Sequence, residues 1–200
     1  MSAPARLVLA SKSAARAALL AGAGLSFETV GAGVDETPIK AGMIRRGAAP
    51  REIARVLAEE KAKAGSTRHA GLVIGADQTL DLDGTLIDKA DSLAEARLRL
   101  LELRGREHRL HSGVAVARAD EILFTHVETA TLTVRAFSEA WLDDYLDRNG
   151  LEILGSVGCY QLEGEGVQLF DRIEGDYFTI LGLPLLPLLG FLRQEHALAS

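Results

Sequence analysis

The stretch Gly71-Leu72-Val73-Ile74-Gly75-Ala76-Asp77-Gln78-Thr79-Leu80 constrains this chain more than any other. Its apolar, β-branched opening predicts a buried strand closed by Gly-Ala. The carboxy end of that strand delivers one carboxylate, Asp77, beside the amide of Gln78 and the hydroxyl of Thr79. In open α/β sheets, ligands bind in the crevice outside the carboxyl ends of the strands. An acid there is costly unless it is paired, metal-bound or solvated. Asp77 is either such a site acid or a residue that only caps the next turn, and the local sequence leaves both readings open.

Segments before and after it supply candidate partners. Arg6-Leu7-Val8-Leu9-Ala10 reads as a first strand, and Ala14 to Ala21 as a helix with Ser13 as its N-cap. A strand, a hydroxyl-rich turn (Ser11-Lys12-Ser13) and a helix N-terminus together make an anion site, with Lys12 and Arg16 adding positive charge. The same pattern also describes a capped surface helix with two solvated cations. It lacks the glycines and Lys-Ser/Thr pair of a P-loop. After a second short strand, Asp35 and Glu36 stand before a loop marked by Pro38, as cation ligands with Asp77 or as a solvated turn. Arg51 to Ala64 is an amphipathic helix with Ile53, Val56 and Leu57 on one face and Lys61 near its end.

Beyond the Asp77 strand, alternation around Asp83-Gly84 predicts a two-residue hairpin that returns Lys89 towards the level of Asp77. Ser92 and Ser138 cap two further helices, through Leu103 and Arg148. Between these helices, residues 108–116 and 122–134 read as long antiparallel strands. The scattered histidines form no zinc signature. Residues 155–166 are glycine-rich and polar, either a backbone that approaches a ligand closely or a flexible connection. Gln168 to Ile173 and Asp176 to Leu181 read as a strand pair around Glu174-Gly175, and Pro184 opens the last helix.

Composition narrows the partners. A net charge of −6 argues against a nucleic-acid polymer, which needs clustered Lys and Arg. A nucleotide pocket needs only a few local cations. Two hundred residues, 48% of them hydrophobic, suit one unit with two interdependent lobes and a core that needs no staples. The single cysteine, Cys159, excludes an internal disulfide and fits a reducing, cytoplasmic setting. The longest apolar run, Ile180 to Leu192, is broken by two prolines and two glycines and is too short to span a membrane.

Taken in order, several segments resemble the Maf family of nucleoside triphosphate pyrophosphatases. These are Leu9-Ala10-Ser11-Lys12-Ser13 with Arg16, Val34-Asp35-Glu36, Glu60-Lys61-Ala62, Gly75-Ala76-Asp77, Lys89, Ser112-Gly113, and Arg172 to Tyr177 with Gly182-Leu183-Pro184. Each is weak alone; their joint order over nearly the whole chain is specific. The resemblance implies an α/β fold: a long twisted mixed sheet flanked by helices, two lobes and a deep cleft, as in ITPase- and Maf-like proteins. It implies hydrolysis between the α and β phosphates of a nucleoside triphosphate, with a divalent metal, Mg²⁺ or Mn²⁺. By the same resemblance, Asp77 takes a proton or organises a metal-bound water, Glu36 helps hold the metal, and Lys89 joins them in the catalytic set. Arg16, Lys61, Ser11 and Ser13 contact phosphate.

Departures from the family pattern bear on specificity. Ala14 and Ala15 replace Pro-Arg, so a guanidinium is missing at position 15. Gln78 and Glu163 resemble the branch acting on 7-methyl-GTP, although that branch tends to carry an aromatic at the position of Ala15. A cationic methylated guanine suits a carboxylate and a stacking ring. Narrow 7-methyl-GTP specificity is therefore one alternative, and a nucleotide-binding regulator of cell division with little turnover is another. A homodimer is left open.

Overall fold

The computed structural model describes residues 6–198. Strand β1 (Leu7–Ala10) is buried throughout and lies between two parallel neighbours, β2 (Phe27–Val30) and β3 (Leu72–Leu82). A strand paired on both edges and covered on both faces is a continuous apolar run, which Leu7-Val8-Leu9-Ala10 is. Helix α1 (Ala14–Gly22) connects β1 to β2, and helices α2 (Glu36–Arg45) and α3 (Pro50–Ser66) lead on to β3. Strand β4 (Thr85–Ile87) folds back on the end of β3. Asp83 and Gly84 turn this hairpin at φ 52° and 84°, the positive values a two-residue turn requires.

Helix α4 (Leu93–Leu103) follows, and the sheet continues antiparallel through β5 (Glu107–Arg118) and β6 (Glu121–Val134). After helix α5 (Glu139–Asn149) and two 3₁₀ turns, β7 (Phe170–Glu174) pairs with β6 at the sheet's edge. Helices α6 (Tyr177–Ile180) and α7 (Leu185–Gln194) close the chain. The strand order is β2-β1-β3-β5-β6-β7, with β4 on β3. This is the mixed sheet flanked by helices that the sequence leads one to expect.

Two main cores form on one sheet. Leu9, Leu20, Ile74, Val114 and Leu188 belong to the first, around α1 and α7. Leu82, Leu100, Leu110, Leu142 and Tyr145 belong to the second, around α4 and α5. Strands β3 and β5 each contribute to both. Helix α3 packs on the opposite face of the sheet, the one that Gly75, Gly113 and Ala115 present, and its close seat is set by two glycines. A Cβ on Gly75 would strike the backbone of Ala58 and Ala62, and one on Gly113 would meet the Ala54 carbonyl oxygen at 2.5 Å. The sheet-facing side of α3 is correspondingly small: Ala54, Ala58, Ala62 and Gly65 are all buried.

Three local expectations are corrected. Asp35 and Glu36 do not lead into a loop. The Asp35 side chain accepts from the Thr37 amide and caps α2, and Pro38 sits in the first turn, where its missing N–H costs nothing. Asp176 to Leu181 is not a strand: Asp176 accepts from the Thr179 amide and caps the one-turn helix α6. Strand β3 does not end at Asp77. It runs on to Leu82, because β5 pairs with it from Val73 to Asp81.

Candidate active site

The place of Asp77 follows from the uneven edges of β3. On one edge β5 pairs continuously. On the other, β1 pairs only as far as Ile74 and β4 only from Leu80. Residues 75–79 between them have no strand neighbour on that edge, and Asp77 lies in the middle of the gap. A cleft of about 950 Å³ opens here. All ten residues singled out from the sequence line it: Ser11, Ser13, Ala15, Arg16, Glu36, Lys61, Asp77, Gln78, Lys89 and Glu163.

At the cleft's base, the Lys61 ammonium is 2.6 Å from Asp77 Oδ1 and 2.7 Å from Glu36 Oε1. One cation from α3 thus joins the strand's acid to the acid that opens α2. Lys61 and Asp77 are both buried, and Glu36 is half-buried. Burial pushes the Glu36 carboxyl up, but the bond from Lys61 and the charges of Lys61, Lys40 and Arg16 outweigh it and hold it below its ordinary value.

Arg16 and Gln78 are tied mainly to the protein itself. Arg16 donates from Nε to the Gly182 carbonyl at 2.8 Å, and from Nη1 to the Ala76 carbonyl at 3.0 Å and Ser11 Oγ at 3.2 Å. The Ala76 carbonyl is one that the gap leaves without a strand partner. Burial lowers the Arg16 pKa, against the opposing pull of Asp77 and Glu36. Gln78 Nε2 points at Ser112 Oγ, Thr179 O and Ile180 O, at 2.9, 3.0 and 3.0 Å. Two of these acceptors are carbonyls, so the nitrogen has to be the atom facing them. Together Arg16 and Gln78 clamp residues 179–182, which form one wall of the cleft.

The α1 entrance keeps its donors available. Ser13 Oγ accepts from the Arg16 amide, and Ser11 Oγ accepts from the Ser13 amide. Each hydroxyl hydrogen is therefore left to donate. The amides of Ala14 and Ala15, at the first two helical positions, have no intrahelical acceptor and face the same end of the dipole. Lys89 has no hydrogen bond or ion pair among the described residues. Partial desolvation and the charge of Arg16 lower its pKa, only partly offset by Asp77 and Glu36. Glu163 is exposed, and Ala15 lines the same cleft.

Two residues to which the sequence assigned no site role also take part. Lys40 lines the cleft, 2.8 Å from Asp88 Oδ1 and 3.7 Å from Glu36 Oε2. Its signal was the i, i+4 spacing from Glu36, hidden because 35–38 resembles a loop. Ser112, quoted above only within the Ser112-Gly113 segment, joins Gln78 to Thr179, a contact between strands and a later helix that local sequence does not reveal.

Comparison with known proteins identifies relatives of this chain. The family model described as Maf-like protein matches residues 6–195. A protein named nucleoside triphosphate pyrophosphatase from Caulobacter vibrioides is 62% identical over 192 residues, covering 96% of each chain. One of the same name from Granulibacter bethesdensis is 53% identical over 194 residues, covering 96% of this chain and 98% of its own. A 7-methyl-GTP pyrophosphatase from Rhizobium meliloti is 48% identical over 193 residues, covering 96% and 97%.

Proposed function

The chain belongs to the Maf family of nucleoside triphosphate pyrophosphatases, and from that premise we propose that its cleft hydrolyses the bond between the α and β phosphates, releasing a nucleoside monophosphate and pyrophosphate. The observation that carries this reading is the meeting of Asp77 and Glu36 at one buried ammonium, inside a cleft edged by Lys12, Arg16, Lys40 and Lys89.

Attack at a phosphorus needs a positioned proton acceptor and neutralisation of the charge that develops on oxygen. Asp77 is assigned the proton of the attacking water. Lys61 holds the Asp77 and Glu36 carboxylates at a fixed separation. Lys89, the Ser11 and Ser13 hydroxyls and the first amides of α1 receive the phosphates. Arg16 contributes its charge while its side chain keeps the 179–182 wall in place.

The donor set also fits a divalent cation. Mg²⁺ is held by one or two carboxylates together with water and substrate phosphate, and Asp77 and Glu36 each keep an oxygen outside their bond to Lys61. Among the described residues, no three or more His, Cys, Asp or Glu side chains gather into a metal cage, so the fit is to a cation shared with the triphosphate. When bound, Mg²⁺ or Mn²⁺ supplies further neutralisation of phosphate charge.

The reading takes the chain as one unit with two interdependent lobes, supported by β3 and β5 building both cores. A cytoplasmic location belongs to it, supported by the single cysteine. No helix among the described residues is long and apolar enough to cross a membrane. A second reading, preference for 7-methyl-GTP, is favoured by Glu163, which lines the cleft and offers a carboxylate to a cationic base. A panel of canonical and methylated triphosphates, scored for pyrophosphate against phosphate, tests both. Release of orthophosphate alone, or no turnover of any triphosphate with Mg²⁺ or Mn²⁺, would overturn the proposal.

A further inference from the structure

We infer that Lys40 is a further phosphate-binding residue of this cleft, held on Asp88 until a polyphosphate takes that carboxylate's place. The inference rests on the pyrophosphatase reading and identifies which cations are able to move to the substrate. Lys61 is buried between two carboxylates, and Arg16 is fixed by the carbonyls of Gly182 and Ala76. Neither can turn to a ligand without leaving buried polar groups unpaired.

Lys40 is held differently. Its bond to Asp88 is short, at 2.8 Å, but the Asp88 side chain is 61% exposed. A carboxylate so placed is rehydrated as soon as it is released, and such pairs are weak and readily exchanged. The base of Lys40 is nevertheless fixed, one turn after Glu36 on α2, with its ammonium 3.7 Å from Glu36 Oε2. The flexible stem can thus swing from Asp88 to an anion in the cleft while its root stays put. A polyphosphate carries more charge and more acceptor oxygens than a single carboxylate and wins the exchange.

Asp88 also has a place in this. It precedes Lys89, so an unneutralised Asp88 would oppose an incoming polyanion beside the cation that receives it. With Lys40 on Asp88, that carboxylate is neutralised before binding. The rival geometry is a fixed strap, in which the Lys40–Asp88 pair does no more than hold the Lys89 segment against α2.

Three variants separate the two: Lys40→Met, Asp88→Asn and the double variant. Each is compared with wild type by steady-state kinetics on the best triphosphate and by calorimetric binding of inorganic tripolyphosphate. Exchange predicts that Lys40→Met raises KM and the tripolyphosphate Kd by roughly tenfold. It leaves kcat within about threefold, the signature of lost uniform binding. Asp88→Asn leaves both constants unchanged or lowers them, the double variant behaves as Lys40→Met, and Lys40→Arg restores most of the affinity. Unchanged constants in Lys40→Met would overturn the inference, as would an Asp88→Asn variant weakened as much as Lys40→Met. Wild type that binds tripolyphosphate through Lys40 yet hydrolyses no triphosphate would sink the pyrophosphatase reading alone.

Discussion

The ammonium of Lys61 donates to the Asp77 carboxylate over 2.6 Å, with both side chains 10% exposed. Removing one member of such a pair strands a buried charge, whereas removing both does not. Lys61→Met is expected to lower unfolding free energy by roughly 3 kcal/mol, and Lys61→Met with Asp77→Asn to recover much of that loss. Chemical denaturation measures both. Asp77→Asn alone is expected to cut pyrophosphate release by about 10²-fold or more while the fold persists. Full activity in Asp77→Asn would remove Asp77 from the reaction.

Gly75 sets how closely α3 lies on β3, and therefore where Lys61 sits. Its added Cβ would meet helix backbone, which cannot step aside as a side chain could. Gly75→Ala is expected to cost about 1–3 kcal/mol and to depress turnover by moving Lys61 off the carboxylates. An alanine variant with wild-type stability and activity would show that α3 is not seated by this contact.

Gln78 is expected to act through the 179–182 wall. Gln78→Leu removes the side-chain donor facing the Ile180 carbonyl and the Ser112 oxygen, while Thr179 O keeps the Ser112 hydroxyl and the Gly182 amide, at a cost of about 1–3 kcal/mol. The KM for all bases should rise together. A change confined to one base would instead mean that Gln78 reads the base directly.

Two groups whose folded pKa lies below its ordinary value weaken the fold in acid, with the same sign. His108 is buried against Tyr160, with Nε2 2.7 Å from the phenol oxygen and Nδ1 without a partner. Burial pushes its pKa down to about 4 from 6.5. The unfolded chain therefore takes up the proton first, and stability falls as pH drops from about 6.5 towards 4, by about 3 kcal/mol in all. The His108 imidazole signals should show no titration above pH ~5, and a midpoint near 6.5 would refute this. Glu36, held below its ordinary value, adds stability that is present above the unfolded carboxylate range and is lost as pH falls through the folded value. Glu36→Gln should flatten that acid limb of a stability–pH curve.

Much of the scaffold was legible in the chain, for local reasons. Ser13, Ser92 and Ser138 each accept from the amide three residues on and start helices where expected. Asp83-Gly84 turns the hairpin, and alternation marks β5 and β6. The errors were also local in origin. Pro38 reads as a loop marker although proline is tolerated in a first helical turn, and Asp176 reads as the start of a strand although it caps a helix. A lysine on a helix face has no distinguishing neighbours in sequence, yet Lys61 is the point where both carboxylates meet.

By itself, then, the sequence determined which residues start and stop each element and which acids and bases were available to a site. Only the tertiary structure decided what those groups touch. Asp77 faces a cleft because β1 stops at Ala10 and β4 begins its pairing at Leu80, so one edge of β3 is bare between them. Lys61 reaches Asp77 because glycines 75 and 113 let α3 settle onto the sheet. Arg16 and Gln78 are bound to a wall more than a hundred residues later in the chain. Caps and turns are fixed by bonds a few residues long and can be read locally. Strand ends, helix seating and side-chain partners depend on which distant backbone arrives alongside, and that is settled only when the chain packs.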